Sequence, residues 1–442
     1  MNTWKQWTVT ALVALLVLAL AACGGAAGQD EPAATATTAP TAAVSIVTPE
    51  ASAVAPPTPA TPATAVPTPA LTIATPEAPP VASDTLAGPV IGLNLENTNE
   101  DYYLALFDAG TNTFRELGAT TALVMPYAAH WFDGGCLIYA EGRLFDLHGQ
   151  LVWSLPDEVL AQPGDWHNSF LSPDRAWVAT VIDAAEGERH VEVIRLSAPF
   201  DRLRLTEGGG GHPGAVLWAA ADDGLWLFFS DYDSDGILQV FRAHPDGAGR
   251  EQLTAHAASP ALIGALALSP DGRRLAYGAR NLAVPSYPYT YRAEDEGWVG
   301  IVDLATGETR RVALPRLAGV ELGQGLVWSG DSTRLLAVGD SLPVDAGDPL
   351  AGRQVHWLTA DGAIEHSFYQ ADMPSGQLGW VSPLGDIDSL MFSSSADIYR
   401  YDAGEVRRLE GEERPPIGDV GRRPVGVLPA WVGFAGEGAC RQ

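Results

Sequence analysis

The strongest constraint on the fold is a pattern of strands and turns that recurs along residues 88–442. Each copy has an apolar strand, a turn rich in Pro, Asp and Gly, two more apolar strands and a fourth strand with Arg and Leu. The clearest copy runs through residues 264–269, 274–279, 298–304 and 309–314, with its first turn at Pro270-Asp271-Gly272. Related turns stand at Asp133-Gly134-Gly135, Pro173-Asp174, Asp222-Asp223-Gly224, Gly330-Asp331 and Pro383-Leu384-Gly385.

This repeat predicts an all-β fold, because the turns are spaced by about 41 to 60 residues, which suits four short strands each. We expect a β-propeller with seven four-stranded blades; six and eight blades are the alternatives. Residues 90–95, 102–108 and 113–117 supply three outer strands of one blade, and residues 425–434 supply its inner strand. The ring is then closed by N-terminal outer strands plus a C-terminal inner strand, which removes open sheet edges.

One stretch of the repeat carries a family resemblance. Residues 227–231 and 239–241, the turn His244-Pro245-Asp246-Gly247 and residues 252–254 are similar to TolB-like and WD-repeat-like β-propellers. The resemblance implies a fold and no activity. The chain departs from the six-bladed TolB form in its expected blade count and shows no second domain, although an envelope module that engages a protein partner is one function it suggests.

The N-terminus predicts a cellular location. Residues 11–22 form an apolar run too short to span a bilayer, and Leu20-Ala21-Ala22-Cys23 resembles the lipobox of bacterial lipoproteins. We therefore interpret residues 1–22 as a lipoprotein signal peptide and Cys23 as the lipidated residue; an ordinary secretory signal is the alternative. The acylated Cys23 would anchor an extracytoplasmic protein in the lipid bilayer of the cell membrane or the outer membrane.

Residues 23–87 are rich in Ala, Thr and Pro, a composition that cannot bury a core. We expect a disordered stalk that carries the propeller domain of residues 88–442. The chain has 54 acidic and 26 basic residues, a net charge of −28, and its only lysine is Lys5. This balance argues against nucleic acid as a partner, and a mature chain without lysine excludes Schiff-base chemistry. A monomeric ring is expected.

Two cysteines remain beyond Cys23. Cys136 stands at the start of the second strand of the first full blade, and Cys440 follows the inner strand of the composite blade. Because both fall in equivalent inner hairpin connections of adjacent blades, we predict a disulfide between them. Two separate thiols are the alternative.

Three aspartates at alternate positions, Asp231, Asp233 and Asp235, precede Gly236 in a connection between second and third strands. Such spacing can wrap Ca²⁺, so Ca²⁺ is a possible cofactor. The match is incomplete. An EF-hand-like loop needs a bidentate carboxylate at its twelfth position, which is Arg242 here, and a shorter nine-residue loop would end at Gln239. A plain acidic turn is the alternative.

Three histidines, His130, His167 and His212, stand at or just before the inner strands of consecutive blades. Oligogalacturonate lyases, which this class of propeller resembles in fold, use a histidine cluster at the channel for a metal. The resemblance would make these histidines metal ligands, although their offsets from the turn aspartates differ. Solvated or hydrogen-bonded loop histidines are the alternative.

In the blade after the one with Asp231, the connection between the second and third strands carries Tyr287, Tyr289 and Tyr291. The blade after that adds Asp340 and Asp345. Connections of this kind open on one face of a propeller, so we predict an acidic, aromatic ligand-binding face. Tyrosines beside prolines lose little entropy when they stack on a sugar or a peptide. An insertion that only covers the blade is the alternative.

No catalytic motif is present: the chain lacks Gly-x-Ser-x-Gly, His-Glu-x-x-His and a phosphate-binding glycine loop. We therefore expect a non-enzymatic binding or scaffold protein for a protein, peptide or glycan, and assign no catalytic residue. The alternative is an extracellular metal-dependent glycan-active lyase or hydrolase with its site at the central channel.

Overall fold

The computed structural model describes most of the repeat region. The described residues are 90–96, 102–108, 113–117, 129–132, 135–161, 169–183, 189–206, 215–221, 223–258, 260, 262–281, 297–314, 317–320, 325–341, 352–373, 378–379, 381–393, 398–402, 404–409 and 423–427. They belong to the compact unit Pro67–Gln442, whereas the unit Met1–Val66 lies outside them. The predicted signal peptide (1–22), Cys23 and the predicted stalk (23–87) are therefore outside the described residues.

The described residues form seven antiparallel sheets, numbered here in chain order. Sheet 1 contains β29 (Arg423–Val427), β1 (Val90–Glu96), β2 (Tyr102–Asp108) and β3 (Thr113–Glu116). Sheet 2 contains β4 (His130–Phe132), β5 (Leu137–Ala140), β6 (Arg143–Asp146) and β7 (Leu151–Ser154). Sheet 3 contains β8 (Ser169–Leu171), β9 (Trp177–Asp183), β10 (Arg189–Arg195) and β11 (Arg202–Arg204).

Sheets 4 to 7 continue the series. Sheet 4 contains β12 (Val216–Ala221), β13 (Gly224–Tyr232), β14 (Leu238–Ala243) and β15 (Glu251–Gln252). Sheet 5 contains β16 (Leu262–Leu268), β17 (Arg274–Arg280), β18 (Gly297–Asp303) and β19 (Thr309–Ala313). Sheet 6 contains β20 (Leu317–Val320), β21 (Leu326–Trp328), β22 (Arg334–Ser341), β23 (Gly352–Thr359) and β24 (Ile364–Tyr369). Sheet 7 contains β25 (Val381–Leu384), β26 (Asp386–Ser393), β27 (Ile398–Asp402) and β28 (Glu405–Arg408).

Two short helices accompany these strands, α1 (Asp157–Leu160) and a 3-10 helix (Gln370–Asp372). In the part of the chain that the structure describes, neither helix has the length and apolar character needed to cross a membrane.

The recurring turn has a local hydrogen-bonding cause. In the turn between β16 and β17, the Ser269 hydroxyl donates to Asp271 Oδ1 over 2.6 Å and accepts the Arg274 backbone N–H over 2.9 Å. The same two bonds recur at Ser172 and at Ser329. A serine two residues before an aspartate thus closes the turn with its own side chains, which is why the motif is visible in the sequence.

Apolar residues fill the spaces between consecutive sheets. One core joins sheets 4 and 5 through side chains such as Phe228, Val240 and Leu275, and similar cores join sheet 5 to sheet 6 and sheet 6 to sheet 7. Neighbouring sheets contact one another through their first strands, β8 with β12 and β12 with β16. The sheets therefore stack face to face with their first strands innermost, which is the arrangement of a β-propeller.

Tryptophan side chains also join the sheets. Trp218 on β12 donates its indole N–H to the Phe170 carbonyl on β8 over 2.8 Å. Trp328 on β21 makes the equivalent bond to the Ala267 carbonyl on β16 over 3.0 Å. Each bond satisfies a backbone acceptor across an inter-sheet core, so it fixes the rotation of one sheet against the next.

The two ends of the described chain meet in sheet 1. β29 pairs antiparallel with β1, and Leu93 lies opposite Val427. The sequence predicts this pairing of a C-terminal inner strand with N-terminal outer strands. The predicted inner strand covers residues 425–434, and the part after Val427 lies outside the described residues.

The structure is thus an all-β propeller with six four-stranded blades, sheets 1 to 5 and sheet 7. The predicted copy at residues 264–314 is sheet 5, whose four strands agree with the prediction to within two residues. Sheet 6 has five strands instead of the expected four, because β20 and β21 both pair with β22.

Candidate ligand-binding edge

The connections predicted to carry function lie at one edge of sheets 4, 5 and 6. There the second strand of each sheet ends and the third begins, at the facing pairs Tyr232–Leu238, Arg280–Gly297 and Ser341–Gly352. The first strand starts and the fourth strand ends at the same edge because all neighbours are antiparallel. We call this side of the three sheets the connection edge.

At the connection edge of sheet 4, Asp231 does not face its neighbouring aspartates. Its buried carboxylate is ion-paired with Arg250, with 2.5 Å between Asp231 Oδ2 and Arg250 Nη2. The guanidinium also donates to the Leu205 carbonyl of the preceding sheet over 2.6 Å. It lies over the ring of Phe241, 4.7 Å from the centroid. Asp231 therefore serves the packing of sheet 4 against the end of sheet 3.

Asp233 closes its own turn. Its Oδ1 accepts the backbone N–H groups of Asp235 and Ile237 over 3.0 and 2.9 Å, and its Oδ2 accepts the Gln239 amide over 3.0 Å. These bonds, the one from Ile237 first, hold the pKa of the Asp233 carboxyl below its usual value. The Asp235 side chain is exposed.

The three aspartates predicted to wrap Ca²⁺ are thus not brought together. One is ion-paired, one is a turn acceptor and one faces solvent. Among the residues that the structure describes, no group of three or more His, Cys, Asp and Glu side chains is placed to hold a metal ion. The spacing in sequence matches a metal loop, but the alternation of strand and turn sends the carboxylates in different directions.

Gln239 positions the connection that leads from sheet 4 to sheet 5. Its buried amide oxygen accepts the Thr254 hydroxyl over 2.8 Å and the His256 backbone N–H over 2.9 Å. The amide nitrogen donates to the His256 carbonyl over 3.2 Å, in addition to Asp233. A single side chain therefore fixes the backbone of His256 at the connection edge.

His256 contacts a group of side chains on sheet 5, which we call the Trp298 cluster and define as His256, Tyr277, Trp298 and Arg311. The His256 ring lies edge-on to the rings of Tyr277 and Trp298, with centroids 5.6 and 6.0 Å apart. The Arg311 guanidinium lies over the Trp298 ring, 4.0 Å from its centroid.

Strand register explains how the cluster forms. Tyr277, Gly300 and Arg311 face one another across β17, β18 and β19. A Cβ atom at position 300 would lie 2.0 Å from Cζ of Tyr277, so the tyrosine ring occupies the space above a glycine. Trp298 is two residues before Gly300 and points to the same side of the sheet.

Three polar atoms of the cluster are buried without a hydrogen bond of standard geometry: Tyr277 Oη, Trp298 Nε1 and His256 Nε2. The Tyr277 and Trp298 side chains are 0% and 2% exposed. Burial raises the pKa of Tyr277 to about 12, against smaller lowerings by the hydrogen-bonding approach of the Trp298 indole N–H to the Tyr277 hydroxyl and by the charge of Arg311. Burial and then Arg311 lower the pKa of His256. Buried polar atoms without a well-formed hydrogen bond are uncommon in proteins.

The sequence did not predict this cluster. The residues come from an inter-sheet connection and three different strands, and they form no motif. The only signal in the sequence is that Trp298 is the second residue of the strand after the connection that carries Tyr287, Tyr289 and Tyr291.

A cleft of about 650 Å³ lies between sheets 4 and 5, and His256 is the cluster residue that lines it. Residues 251–256 form one wall, and residues 302–307 with Thr309 form the other. His256 therefore lines the cleft and also touches both aromatic rings of the cluster.

The predicted acidic and aromatic face is described only in part. Asp340, at the connection edge of sheet 6, is exposed and ion-paired with Arg353, whose guanidinium donates to the Gly379 carbonyl over 2.6 Å. Tyr287, Tyr289, Tyr291 and Asp345 lie outside the described residues.

Of the three predicted channel histidines, His130 alone is within the described residues; His167 and His212 lie outside them. His130 is the first residue of β4, as predicted, and its ring packs against those of Tyr139 and Phe170, with centroids 5.0 and 5.5 Å apart. These contacts fit a packed aromatic position.

Cys136 directly precedes β5 and is disulfide-bonded. Cys440 lies outside the described residues. The pairing of Cys136 with Cys440 stays a prediction.

Neither a protein-family model nor a curated protein matches the chain. Among solved structures, it is similar to TolB from Acinetobacter baumannii, with 17% identity over 62% of this chain and 62% of that chain and a TM-score of 0.39. It spans less than two thirds of that protein. A putative TolB from Agrobacterium tumefaciens gives 14% identity over 74% and 100% of the two chains, with a TM-score of 0.37. An oligogalacturonate lyase from Vibrio parahaemolyticus has 12% identity over 70% of this chain and 85% of that chain, with a TM-score of 0.45. Similarity at this level concerns the fold and says nothing about activity or partners.

Proposed function

We propose that this protein is a non-enzymatic binding or scaffold module, tethered outside the cytoplasm by an acylated Cys23. In this proposal the connection edge of sheets 4 to 6 holds the ligand, a protein, peptide or glycan. The Ala/Thr/Pro-rich segment of residues 23–87 places the propeller at a distance from the bilayer.

One observation carries the proposal: the Trp298 cluster keeps buried polar atoms without hydrogen bonds of standard geometry at the edge where the connections converge. A core that only served stability would satisfy or remove such atoms, because each costs free energy. The connection that enters β18 one residue before Trp298 carries Tyr287, Tyr289 and Tyr291, so aromatic side chains stand next to the cluster in the sequence.

A rigid support favours this function. We further propose that sheet 6 is a seventh blade whose inner strand is divided in two. β20 pairs with residues 339–341 of β22, and β21 pairs with residues 335–337 of the same strand. The two short strands therefore occupy successive lengths of one edge. A closed ring of seven blades would hold the connection edge with little loss of entropy on binding.

The alternative, a metal-dependent glycan-active lyase or hydrolase, would place His130, His167 and His212 around a metal at the channel. His130 packs against two aromatic rings in the described structure, which does not favour it. Ca²⁺ held by Asp231, Asp233 and Asp235 is disfavoured by the ion pair of Asp231 with Arg250.

The test uses the full chain purified in detergent and a panel of defined cell-wall glycans and peptides. We expect saturable binding without turnover, lost when Tyr287, Tyr289 and Tyr291 are replaced together by Ala. The matched control is Asp246→Ala, in an exposed turn at the opposite edge of sheet 4, which should bind normally. Metal-dependent cleavage of any glycan, or binding to no member of the panel, would contradict the proposal. Mass spectrometry of the N-terminal peptide tests the lipid on Cys23.

A further inference from the structure

We infer that Arg280 binds the C-terminal carboxylate of a peptide ligand at the connection edge, between sheets 5 and 6. The inference rests on the proposed binding function and names the ligand group that this part of the edge recognises. Its basis is a partly buried guanidinium that no acid neutralises among the described residues, at an edge where the arginines of the neighbouring sheets are neutralised.

The strand alternation fixes the direction of the Arg280 side chain. Arg280 is the last residue of β17 and lies opposite Gly297 on β18. Arg274, six residues earlier on β17, donates to the Ser332 carbonyl of sheet 6 over 3.4 Å. Residues an even number of positions apart along a strand point to the same side of the sheet. Arg280 therefore points towards sheet 6, whereas Tyr277 packs in the core between sheets 4 and 5.

The Arg280 guanidinium is partly buried and has no counter-ion within the described residues. Its Nε atom is buried without a hydrogen bond, although the side chain as a whole is partly exposed. The terminal nitrogens Nη1 and Nη2 are not buried in this way and make no hydrogen bond to the described residues, so they are accessible at the edge.

The pKa of Arg280 agrees with the absence of an acid beside it. Burial is the cause that lowers this pKa below its usual value. A nearby carboxylate would raise it, as the hydrogen-bonded Asp388 does for Arg334. A cation taken from water without a counter-ion costs free energy, and a bound anion would offset that cost.

The arginines of the neighbouring sheets are neutralised at the same edge. Arg250 is ion-paired with Asp231 in sheet 4, and Arg353 is ion-paired with Asp340 in sheet 6. Asp340 lies on the side of sheet 6 that faces sheet 7, because its arginine partner also bonds to the backbone just before sheet 7. It is therefore directed away from Arg280.

The described strand residues around Arg280 supply no carboxylate. Gly278 precedes it by two positions on β17, and Gly297 lies opposite on β18. The strand that covers this part of sheet 5 is β20 (Leu317–Val320), which contacts both β17 and β18 and has no charged residue. An anion for Arg280 is therefore expected from outside these strands.

The charge of the chain favours a ligand with a single negative group. The net charge is −28, and the exposed carboxylates of Asp235 and Asp340 lie at the connection edge. A polyanionic glycan would bring further charges close to these acids and would be repelled. The C-terminus of a peptide brings one carboxylate, which a guanidinium binds through two parallel N–H···O bonds.

Isothermal titration of the full chain in detergent with N-acetyl-trialanine tests the inference, and the C-terminal amide of the same peptide is the reference. We expect the free carboxylate to bind in the millimolar range and the amide at least tenfold more weakly, the usual effect of losing a hydrogen bond to a charged group. Arg280→Gln should weaken binding of the free peptide about tenfold or more and leave the amide unchanged. Arg280→Lys keeps the charge but loses the paired donors, so its affinity should lie between the two.

Arg310→Gln is the matched control, because Arg310 lies on the outer strand of the same sheet and is ion-paired with Glu308. It should bind the free peptide like the wild type. Equal binding of the free peptide and the amide, no binding of the free peptide up to about 50 mM, or an equal loss in Arg310→Gln would overturn the inference. Tighter binding of glucuronate than of the free peptide, lost in Arg280→Gln, would assign the site to an acidic sugar and overturn the peptide assignment.

Urea unfolding without ligand tests whether the protein itself neutralises Arg280. Arg280→Met removes the charge and keeps an apolar side chain. Because the charge is partly buried without a counter-ion, Arg280→Met should raise the urea midpoint, and Arg310→Met should leave it unchanged. An unchanged or lower midpoint in Arg280→Met would show that an acid of the chain, such as Glu294, already neutralises the guanidinium, and would overturn the inference.

The outcomes for the proposed function are separate. If Arg280→Gln has no effect on the free peptide while the panel contains a ligand sensitive to Tyr287, Tyr289 and Tyr291, the carboxylate site fails and the proposed function stands. If neither the panel nor the free peptide binds, both fail.

Discussion

Asp231 and Arg250 form an ion pair that also reaches the neighbouring sheet. Asp231 Oδ2 lies 2.5 Å from Arg250 Nη2. The Arg250 guanidinium lies over the rings of Phe229 and Phe241 and also donates a hydrogen bond to the Leu205 carbonyl. The first of three aspartates with metal-loop spacing is therefore a packing residue, because its carboxylate is used within the fold.

Asp231→Asn should destabilise the domain by about 2 kcal/mol, since it removes the charge that balances a partly buried guanidinium. Urea unfolding of the full chain measures the change. Asp235→Asn, in the same turn but exposed, is the control and should stay within ~0.5 kcal/mol. A Ca²⁺-dependent rise in wild-type stability that Asp231→Asn abolishes would contradict this account.

Trp328→Phe should cost about 1–2 kcal/mol, because the partly buried Ala267 carbonyl on the preceding sheet loses its donor. The loss should appear as a lower urea midpoint with an unchanged slope. Trp153→Phe on the outer strand β7 is the comparison. If it is as destabilising as Trp328→Phe, the inter-sheet hydrogen bond is not the cause.

His356 makes stability depend on pH. Its ring is fully buried, with Nδ1 2.8 Å from the Ser367 hydroxyl and Nε2 2.9 Å from Gln354 Oε1. Burial lowers the pKa of His356 from 6.5 to about 4. The folded state therefore binds fewer protons than the unfolded chain between these values. The contribution is present above pH 6.5 and is lost as the pH falls towards 4, in total on the order of 3 kcal/mol.

His356→Gln should flatten this slope when the free energy of unfolding is measured from pH 7 to pH 4. His366→Gln changes an exposed histidine on β24 and should leave the slope as it is. A slope that is the same in His356→Gln and wild type would show that other groups carry the pH dependence.

Peptide mapping without reduction should find Cys136 joined to Cys440. The bridge would enclose roughly 300 residues, so Cys136→Ser and Cys440→Ser should each cost about 2–4 kcal/mol. The double variant should be no less stable than either single one. A bridge from Cys136 to any other cysteine would refute the pairing.

Sheet 5 and the Trp298 cluster show which features of the structure the sequence predicts and which it does not. The strands of sheet 5 were predicted to within two residues, because Ser269 and Asp271 close their turn locally and the apolar alternation is local as well. The pairing of β29 with β1 was also predicted, since three strands at one end of the repeat lacked a fourth.

The sequence by itself determined the repeat, its turns and the all-β class, because each depends on residues a few positions apart. Only the tertiary structure decided which side chains meet. Asp231 forms an ion pair with Arg250, nineteen positions later in the chain. The Trp298 cluster brings together side chains from four separate segments, those of His256, Tyr277, Trp298 and Arg311. These contacts depend on strand register and on how one sheet packs against the next, and no short pattern in the chain encodes either.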